Sequence, residues 1–446
     1  MNDKIVMPIW TFGLFIVVMN TTMFNVSIPS IIHDLHISAD LGSWIISSYS
    51  LGYALSTVIY SRLSDIISIR RLLTVGLLIL GLSSIFGVFA ADFQTLLIAR
   101  ILQSAGAGAM AGLGLVLASR YIPIERRGRA IAMISAGSAM AFGLGPIVGG
   151  LISEYFGWNG LFAVTCCVLV VLPLLLRLLP KDSQLQTASF DIWGAALTIV
   201  HTVTLLTAVT QQSFVWLALS ILSFILHAWH LKRKKETFIN LDLLKKTDYR
   251  KLLVVGFCIL VLNLGNLFLM PLVLASLFAK SAMTIGLMIA PGAIFSAIMT
   301  RFVGKWIDRY GNLRFLLIGH VVLTAVLLFF SILLSYSPTV ILIGYLFFSP
   351  AFSATMASLN NEASRILPRT QIGSGMGLLQ LIQFFGGSIS VAVCGLLLEH
   401  QKNRPPVEAF RHVYELLFLV SLCSVLMLLW YRKTSSLESL PINQTP

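Results

Sequence analysis

Charge is scarce in this chain. Of its 446 residues only 11% are Asp, Glu, Lys or Arg, against 57% hydrophobic ones, and the mean hydropathy is +0.89. Soluble domains carry about a quarter charged residues, so a water-soluble fold of this size is excluded and a polytopic all-α integral membrane protein is expected. Cysteine is sparse too. Cys166, Cys167, Cys258, Cys394 and Cys423 all fall in apolar runs, where a thiol is a small packing group, so neither a disulfide framework nor a metal site is read from them. No phosphate-cradling loop, nucleophile elbow or metal signature is present, which argues against an enzyme and against a cofactor. His227 and His230 have the spacing of a metal pair, but they stand at a membrane interface without carboxylates. The first apolar run, Pro8 to Ile31, lacks a charged leader and a small-residue cleavage site, so it reads as a retained helix with the mature chain starting near Met1.

Apolar runs long enough to cross a bilayer start near Pro8, Ser43, Leu72, Gln94, Ala130, Trp158, Ile192, Phe214, Leu252, Thr284, Phe315, Thr339, Ile372 and His412. That makes about fourteen spans, and an even count puts both termini on one side. The net charge of +13 raises the question of a nucleic-acid partner, and its distribution answers it. With the N-terminus inside, 26 of the 31 Lys and Arg fall in internal segments, four outside (Lys280, Lys402, Arg404, Arg411) and Arg100 within a span. This is the positive-inside bias of a cytoplasmic-membrane protein with cytoplasmic termini, and no nucleic acid is implied. The longest internal loop, Leu231 to Lys251, carries eight of these cations and reads as a solvated, orientation-setting segment.

The chain repeats itself. Ser61-Arg62-Leu-Ser-Asp65-Ile-Ile-Ser68-Ile-Arg70-Arg71 matches Gly304-Lys305-Trp-Ile-Asp308-Arg-Tyr-Gly311-Asn-Leu-Arg314 at an offset of 243 residues. The same offset carries Asn20 onto Asn263, and Gly143-Leu144 onto Gly386-Gly387. Two six-span halves follow, residues 1–180 and 241–446, with two inserted spans and a loop over 181–240 between them. Parallel repeats of this kind place a substrate site near the bilayer midplane between the halves.

One stretch, Gly143-Leu-Gly145-Pro146-Ile-Val-Gly149-Gly150, is a poor helix on local grounds yet lies within a membrane-length run. Proline bends a helix and glycine lets a neighbour approach, so the stretch is expected to be a close-packed, bent gate; ordinary small-residue packing is the alternative.

These residues together resemble the drug/proton antiporters of the major facilitator superfamily, in the branch with fourteen spans. The loop Ser61 to Arg71 resembles that superfamily's loop signature, with Ser61 and Ser68 in place of both glycines. Leu96-x3-Arg100-x2-Gln103-x2-Gly106 resembles its fourth-span signature, and the glycine stretch its fifth-span antiporter signature. Asn25-Val-Ser-Ile-Pro29 and Trp44-x4-Tyr49-Ser-Leu51 match the branch's first two spans. The similarity covers about residues 8 to 400, and the spacing is similar to that of tetracycline and multidrug exporters of Gram-positive bacteria. Many members of that family have an aspartate where this chain has Asn20, so the resemblance does not extend to a fixed anion for cationic drugs.

Candidate residues follow. Asn20, Phe24 and Ser27 share a face of the first span; Asn263 and Asn266 lie on the ninth, and Gln380, Gln383 and Phe384 on the thirteenth. Uncharged amides and aromatics around a wet cavity suit amphipathic molecules; inter-helix hydrogen bonding is the other reading. No Asp or Glu sits at the centre of a span. Proton coupling is therefore assigned to groups near the ends: Asp34 with His33, Glu154 and Glu362. The resemblance implies that Asp34 and Glu154 share an external vestibule. A central arginine costs about 2.5 to 3.5 kcal/mol to insert, so Arg100 is expected to face the cavity or the fifth span, and the resemblance implies that it responds to protonation. Asp65 with Arg70 and Arg71, and Asp308 with Arg314, are expected as inner-face latches, and Gly143 to Gly150 with Gly386 and Gly387 as the seams along which the halves close. The expected activity is proton-coupled efflux of hydrophobic drugs or dyes by a functional monomer. Protons are the coupling ion and the lipid bilayer the surroundings. A metabolite or nutrient carrier is the alternative, and a non-transporting sensor or scaffold a second one.

Overall fold

The computed structural model describes residues 2–180, 191–233, 238, 241–367 and 371–438. Among them there are sixteen helices and no strand. The first half comprises α1 (Asp3–Asp34), α2 (Ala39–Leu63), α3 (Ile69–Val88), α4 (Phe93–Tyr121), α5 (Ile124–Phe156), α6 (Gly160–Cys166) and α7 (Val168–Leu178). A hairpin of α8 (Ile192–Gln211) and α9 (Phe214–Arg233) follows, then the short α10 (Leu241–Lys245). The second half comprises α11 (Thr247–Phe278), α12 (Ala282–Tyr310), α13 (Asn312–Leu333), α14 (Pro338–Ile366), α15 (Ile372–His400) and α16 (Pro406–Glu438).

Local chemistry sets many of these boundaries. Asp92 accepts from Thr95 N at 2.9 Å to start α4, and Asp191 accepts from Gly194 N at 3.1 Å to start α8. Gly157 (φ +72°) ends α5, and Gly311 (φ +89°) separates α12 from α13, conformations that a side chain would strain.

Thirteen helical segments are long and apolar enough to cross a membrane, α6 and α7 acting together as Gly160–Leu178. The fourteenth expected span is α2. Its 25 residues are enough, but it carries Ser43, Ser47, Ser48, Ser50, Ser56 and Thr57, all buried, and falls short on hydropathy. Some of its hydroxyls are spent internally, Ser47 donating to Ser43 O at 2.8 Å and Ser56 to Ser104 O of α4 at 2.7 Å, while those of Ser48 and Ser50 are buried without a partner among the described residues.

The repeat read from the loops holds for the helices. α1 and α11, α2 and α12, α3 and α13, and α4 and α14 start 243 to 245 residues apart. Within the halves α1 packs on α5 and α11 on α15, while α2 packs on α4 and α12 on α14. Between the halves, α5 lies against α12 and α15 against α2, and α1 meets α11 at the centre. The hairpin α8–α9 touches the body through α8, on α15 and α2, and α9 exposes Phe214, Val215, Phe224 and Trp229. An apolar surface of that kind faces lipid. The face at which α1 starts is called the terminus face below.

Candidate functional site

Among the described residues Arg100 is the one charged side chain placed deep in the first half, 1% exposed at the meeting of α1, α2, α3 and α4. Its Nη1 donates to Asn20 Oδ1 at 2.8 Å and to Gln103 Oε1 at 3.0 Å. The rings of Phe24 and Tyr49 cover the two sides of the guanidinium, each centroid 3.9 Å from Cζ. Cation–π contacts of this sort are worth about 2 kcal/mol when desolvated. Gln103 is fixed in turn, because its Nε2 donates to Ser84 Oγ at 2.7 Å. Phe162 of α6 packs edge-on against Phe24 at 5.0 Å, and Tyr53 stacks on Tyr49 at 6.2 Å. Asn20, Phe24 and Arg100 are candidate residues of the sequence, Tyr49 and Gln103 stand there only within motifs, and Ser84 is new to the group.

The glycine stretch of α5 has two working faces. A Cβ at Gly149 would stand 2.7 Å from Met23 Cα and O, and one at Gly145 would collide with Thr22, so these two glycines seat α1. On the other side, a Cβ at Gly150 would stand 2.5 Å from Ala282 O, and Pro146 lies against Gly286. Gly143 faces Ile294 at an ordinary 3.6 Å. The stretch is therefore a seam within the first half and a seam between the halves at once.

Gly386 and Gly387 differ from expectation. Their missing side chains admit Phe257, Leu260 and Leu264 of α11, so both serve packing inside the second half. Gly395 belongs to the between-half seam on that side: a Cβ there would stand 2.8 Å from Ala39 O and 2.6 Å from Ser43 Cβ of α2. Phe384 does cross between the halves, meeting Tyr53 edge-on at 5.6 Å.

Several amides and hydroxyls read as cavity groups are engaged in packing. Ser27 donates to Met23 O at 3.2 Å and lies 3.5 Å from Gly149 O, within the α1–α5 seam. Asn266 accepts from Tyr414 OH at 3.2 Å, on the α16 side of α11. Gln383 is buried with its Nε2 3.7 Å from Met356 Sδ. Asn263 is buried on α11, and Gln380 is half-buried on α15.

The terminal carboxylates fall into three situations. Asp34 is exposed, with His33 Nδ1 3.2 Å from its Oδ1. Glu154 is exposed but committed: it accepts from Met283 N of α12 at 3.2 Å. Glu362 is 1% exposed and saturated by Asn312 Nδ2 at 3.0 Å, Arg365 Nε at 3.0 Å, Arg365 Nη2 at 2.6 Å and Tyr431 OH at 2.8 Å. It ties α13, α14 and α16 together at the terminus face. Asp65 pairs with Arg120 of α4, not with Arg70 or Arg71, and Arg120 also donates to Ser64 O at 2.6 Å. Arg314 is exposed, and the side chain of Asp308 lies outside the described residues. Among the described residues no group of three or more metal-ligating side chains occurs.

Two repeated helical halves meet along α5–α12 and α15–α2, and the sequence identifies the class of protein that has this arrangement. Residues 10–391 match the Major Facilitator Superfamily, and the chain belongs to that family. It is 27% identical to a putative multidrug resistance protein, MdtD, of Enterobacter sp. (strain 638), covering 87% of this chain and 84% of MdtD. It is 26% identical to the riboflavin transporter RibZ of Clostridioides difficile (strain 630), covering 87% and 86%. A crystal structure of a POT family transporter in complex with 5-aminolevulinic acid superposes with a TM-score of 0.72 over 96% of both chains at 14% identity, a likeness of fold.

Proposed function

We propose that this chain is a proton-driven exporter of hydrophobic or amphipathic compounds, drugs and dyes among them, that works as a monomer by alternating access. The observation that carries the reading is the buried Arg100 nest. A cation kept in a span without a carboxylate is costly and persists where a working cycle uses it. Its neighbours lie where the halves meet: α1 and α2 each contact the other half, and α1 rests on the glycine face of α5. The similarity to a multidrug resistance protein supports efflux. The excess of Lys and Arg, 26 against four, supports placing the terminus face in the cytoplasm of a cell membrane.

Protons entering from outside supply about 1.4 kcal/mol per pH unit and about 2.3 kcal/mol per 100 mV. One or two of them suffice to concentrate an apolar compound outside. Asp34 and Glu154, at the face opposite the termini, are the groups assigned to receive them. Proteoliposomes holding the purified chain test the reading. Adding a transported dye to inside-out vesicles with an imposed proton gradient should release protons, and an uncoupler should abolish dye accumulation. Dye movement that ignores the uncoupler overturns proton drive. Gradient-driven uptake in the opposite direction would establish the second reading, a nutrient carrier, which the similarity to a riboflavin transporter favours.

A further inference from the structure

We propose that the unpartnered edge of the Arg100 guanidinium, with the Asn20 amide beside it, binds the acidic group of an organic anion. The compounds carried are then aromatic or apolar monocarboxylates in preference to cations. This rests on the transport reading above and narrows its substrate class.

Arg100 meets no carboxylate among the described residues. Its polar partners are two amide oxygens, both on Nη1, and two rings cover its faces. The buried carboxylates of the described chain, Asp191 and Glu362, have partners of their own elsewhere. What is left on Arg100 is one edge. Nε has no hydrogen-bond partner, and none of the described bonds uses Nη2. The N–H bonds on that edge run parallel and match the two oxygens of a carboxylate.

Asn20 supplies a third donor. Its Oδ1 is taken by Arg100, which fixes the orientation of the amide and leaves Nδ2, fully buried, without a partner. Gln103 is held by Ser84, whose hydroxyl donates onward to Leu80 O at 2.6 Å, so it does not turn to compensate. Every free group here is therefore a donor, and all stand beside a full positive charge. Such a site takes an acceptor, best of all an anion, and repels a cation. Phe24 is backed by Phe162 and Tyr49 by Tyr53, so the surroundings of the guanidinium are aromatic, which suits a flat body attached to the acid. An arginine out of water with no counter-charge is unfavourable, and a bound carboxylate removes that penalty.

Asn20→Asp tests the idea within the chain, because it sets a carboxylate where Asn20 Oδ1 now stands and satisfies Arg100 internally. The purified full chain is titrated by calorimetry with 1-naphthoate, 1-naphthamide and 1-naphthylmethylammonium, three probes of one shape and different charge. The wild type should bind the acid at least about tenfold more tightly than the amide, and the cation least. Asn20→Asp should erase that preference while its thermal unfolding midpoint holds or rises. Arg100→Lys, which keeps the charge and loses the fork, should weaken the acid about tenfold. Equal binding of the three probes, preference for the cation, binding of none, or unchanged naphthoate affinity in Asn20→Asp each overturns the proposal. Since these titrations use no gradient, a failed flux assay with intact acid preference sinks the exporter and leaves the site. The reverse pair of results sinks the site and leaves the exporter.

Discussion

Glu154, in the last turn of α5, accepts a hydrogen bond from the backbone N–H of Met283, in the first turn of α12, at 3.2 Å. First-turn N–H groups have no acceptor inside their own helix, and the dipole there favours a negative charge. The bond therefore fastens one half to the other at the face opposite the termini, one turn beyond the contact of Gly150 with Ala282.

An amide at position 154 keeps an acceptor and a methyl group does not. Glu154→Ala should open this face: a spin-label pair across the ends of α5 and α12 should show a longer, broader distance distribution, while Glu154→Gln stays near wild type. Identical distributions in all three proteins would show that the bond closes nothing.

Coupling is a separate matter from closure. Glu154→Gln combined with Asp34→Asn removes both carboxylates assigned to receive protons, and dye efflux should then become insensitive to an uncoupler while dye binding stays measurable. Unimpaired gradient-driven efflux in the double variant would remove these two residues from the proton path.

The glycines of α5 divide into two sets with different expected phenotypes. Gly149→Ala meets backbone atoms of Met23 and should lower the thermal unfolding midpoint of the purified protein, at a cost of about 1–3 kcal/mol. Gly150→Ala meets Ala282 across the between-half seam and should shift the same spin-label distances. Gly143→Ala, with its nearest neighbour at 3.6 Å, should do neither. Equal effects at all three positions would mean that the stretch is undifferentiated packing.

Glu362 is built as a tie between helices. Tyr431→Phe removes one of its donors and leaves Asn312 and Arg365 in place, so it should cost about 1 kcal/mol of stability in thermal unfolding. Its proton-driven dye efflux should match wild type. A normal unfolding midpoint with failed coupling would reverse this assignment and return Glu362 to the proton path.

The architecture was legible where the repeat left marks in sequence. The aspartate loops at Asp65 and Asp308 fixed an offset that the helix starts then follow closely, because equivalent helices of two related halves have to begin at equivalent depths. Arg100 was legible for a different reason: a charge in a span is expensive enough to demand a role. Its surroundings were harder to read. Phe24 and Tyr49 lie on different helices, and no spacing along either one says that their rings close on the same guanidinium. Ser27 and Asn266 show the converse limit. A polar residue on an apolar helix has the same spacing whether it faces a cavity or a neighbouring backbone, and here both were used by packing. Gly386 faces α11 and not the other half, since the offset preserves position along the helix but not which face of α15 meets α2, where Phe384 and Gly395 lie instead.

The poor hydropathy of α2 bears on how the protein is made. Ser43, Ser47 and Thr57 donate to its own turns and Ser56 to α4, which ends 58 residues after α2 does, while the Ser48 and Ser50 hydroxyls are buried without a partner among the described residues. A segment that partitions weakly into lipid by itself gains its shelter only when that later helix arrives. α2, which packs on α15 of the other half, is therefore the span whose place in the membrane leans most on its neighbours.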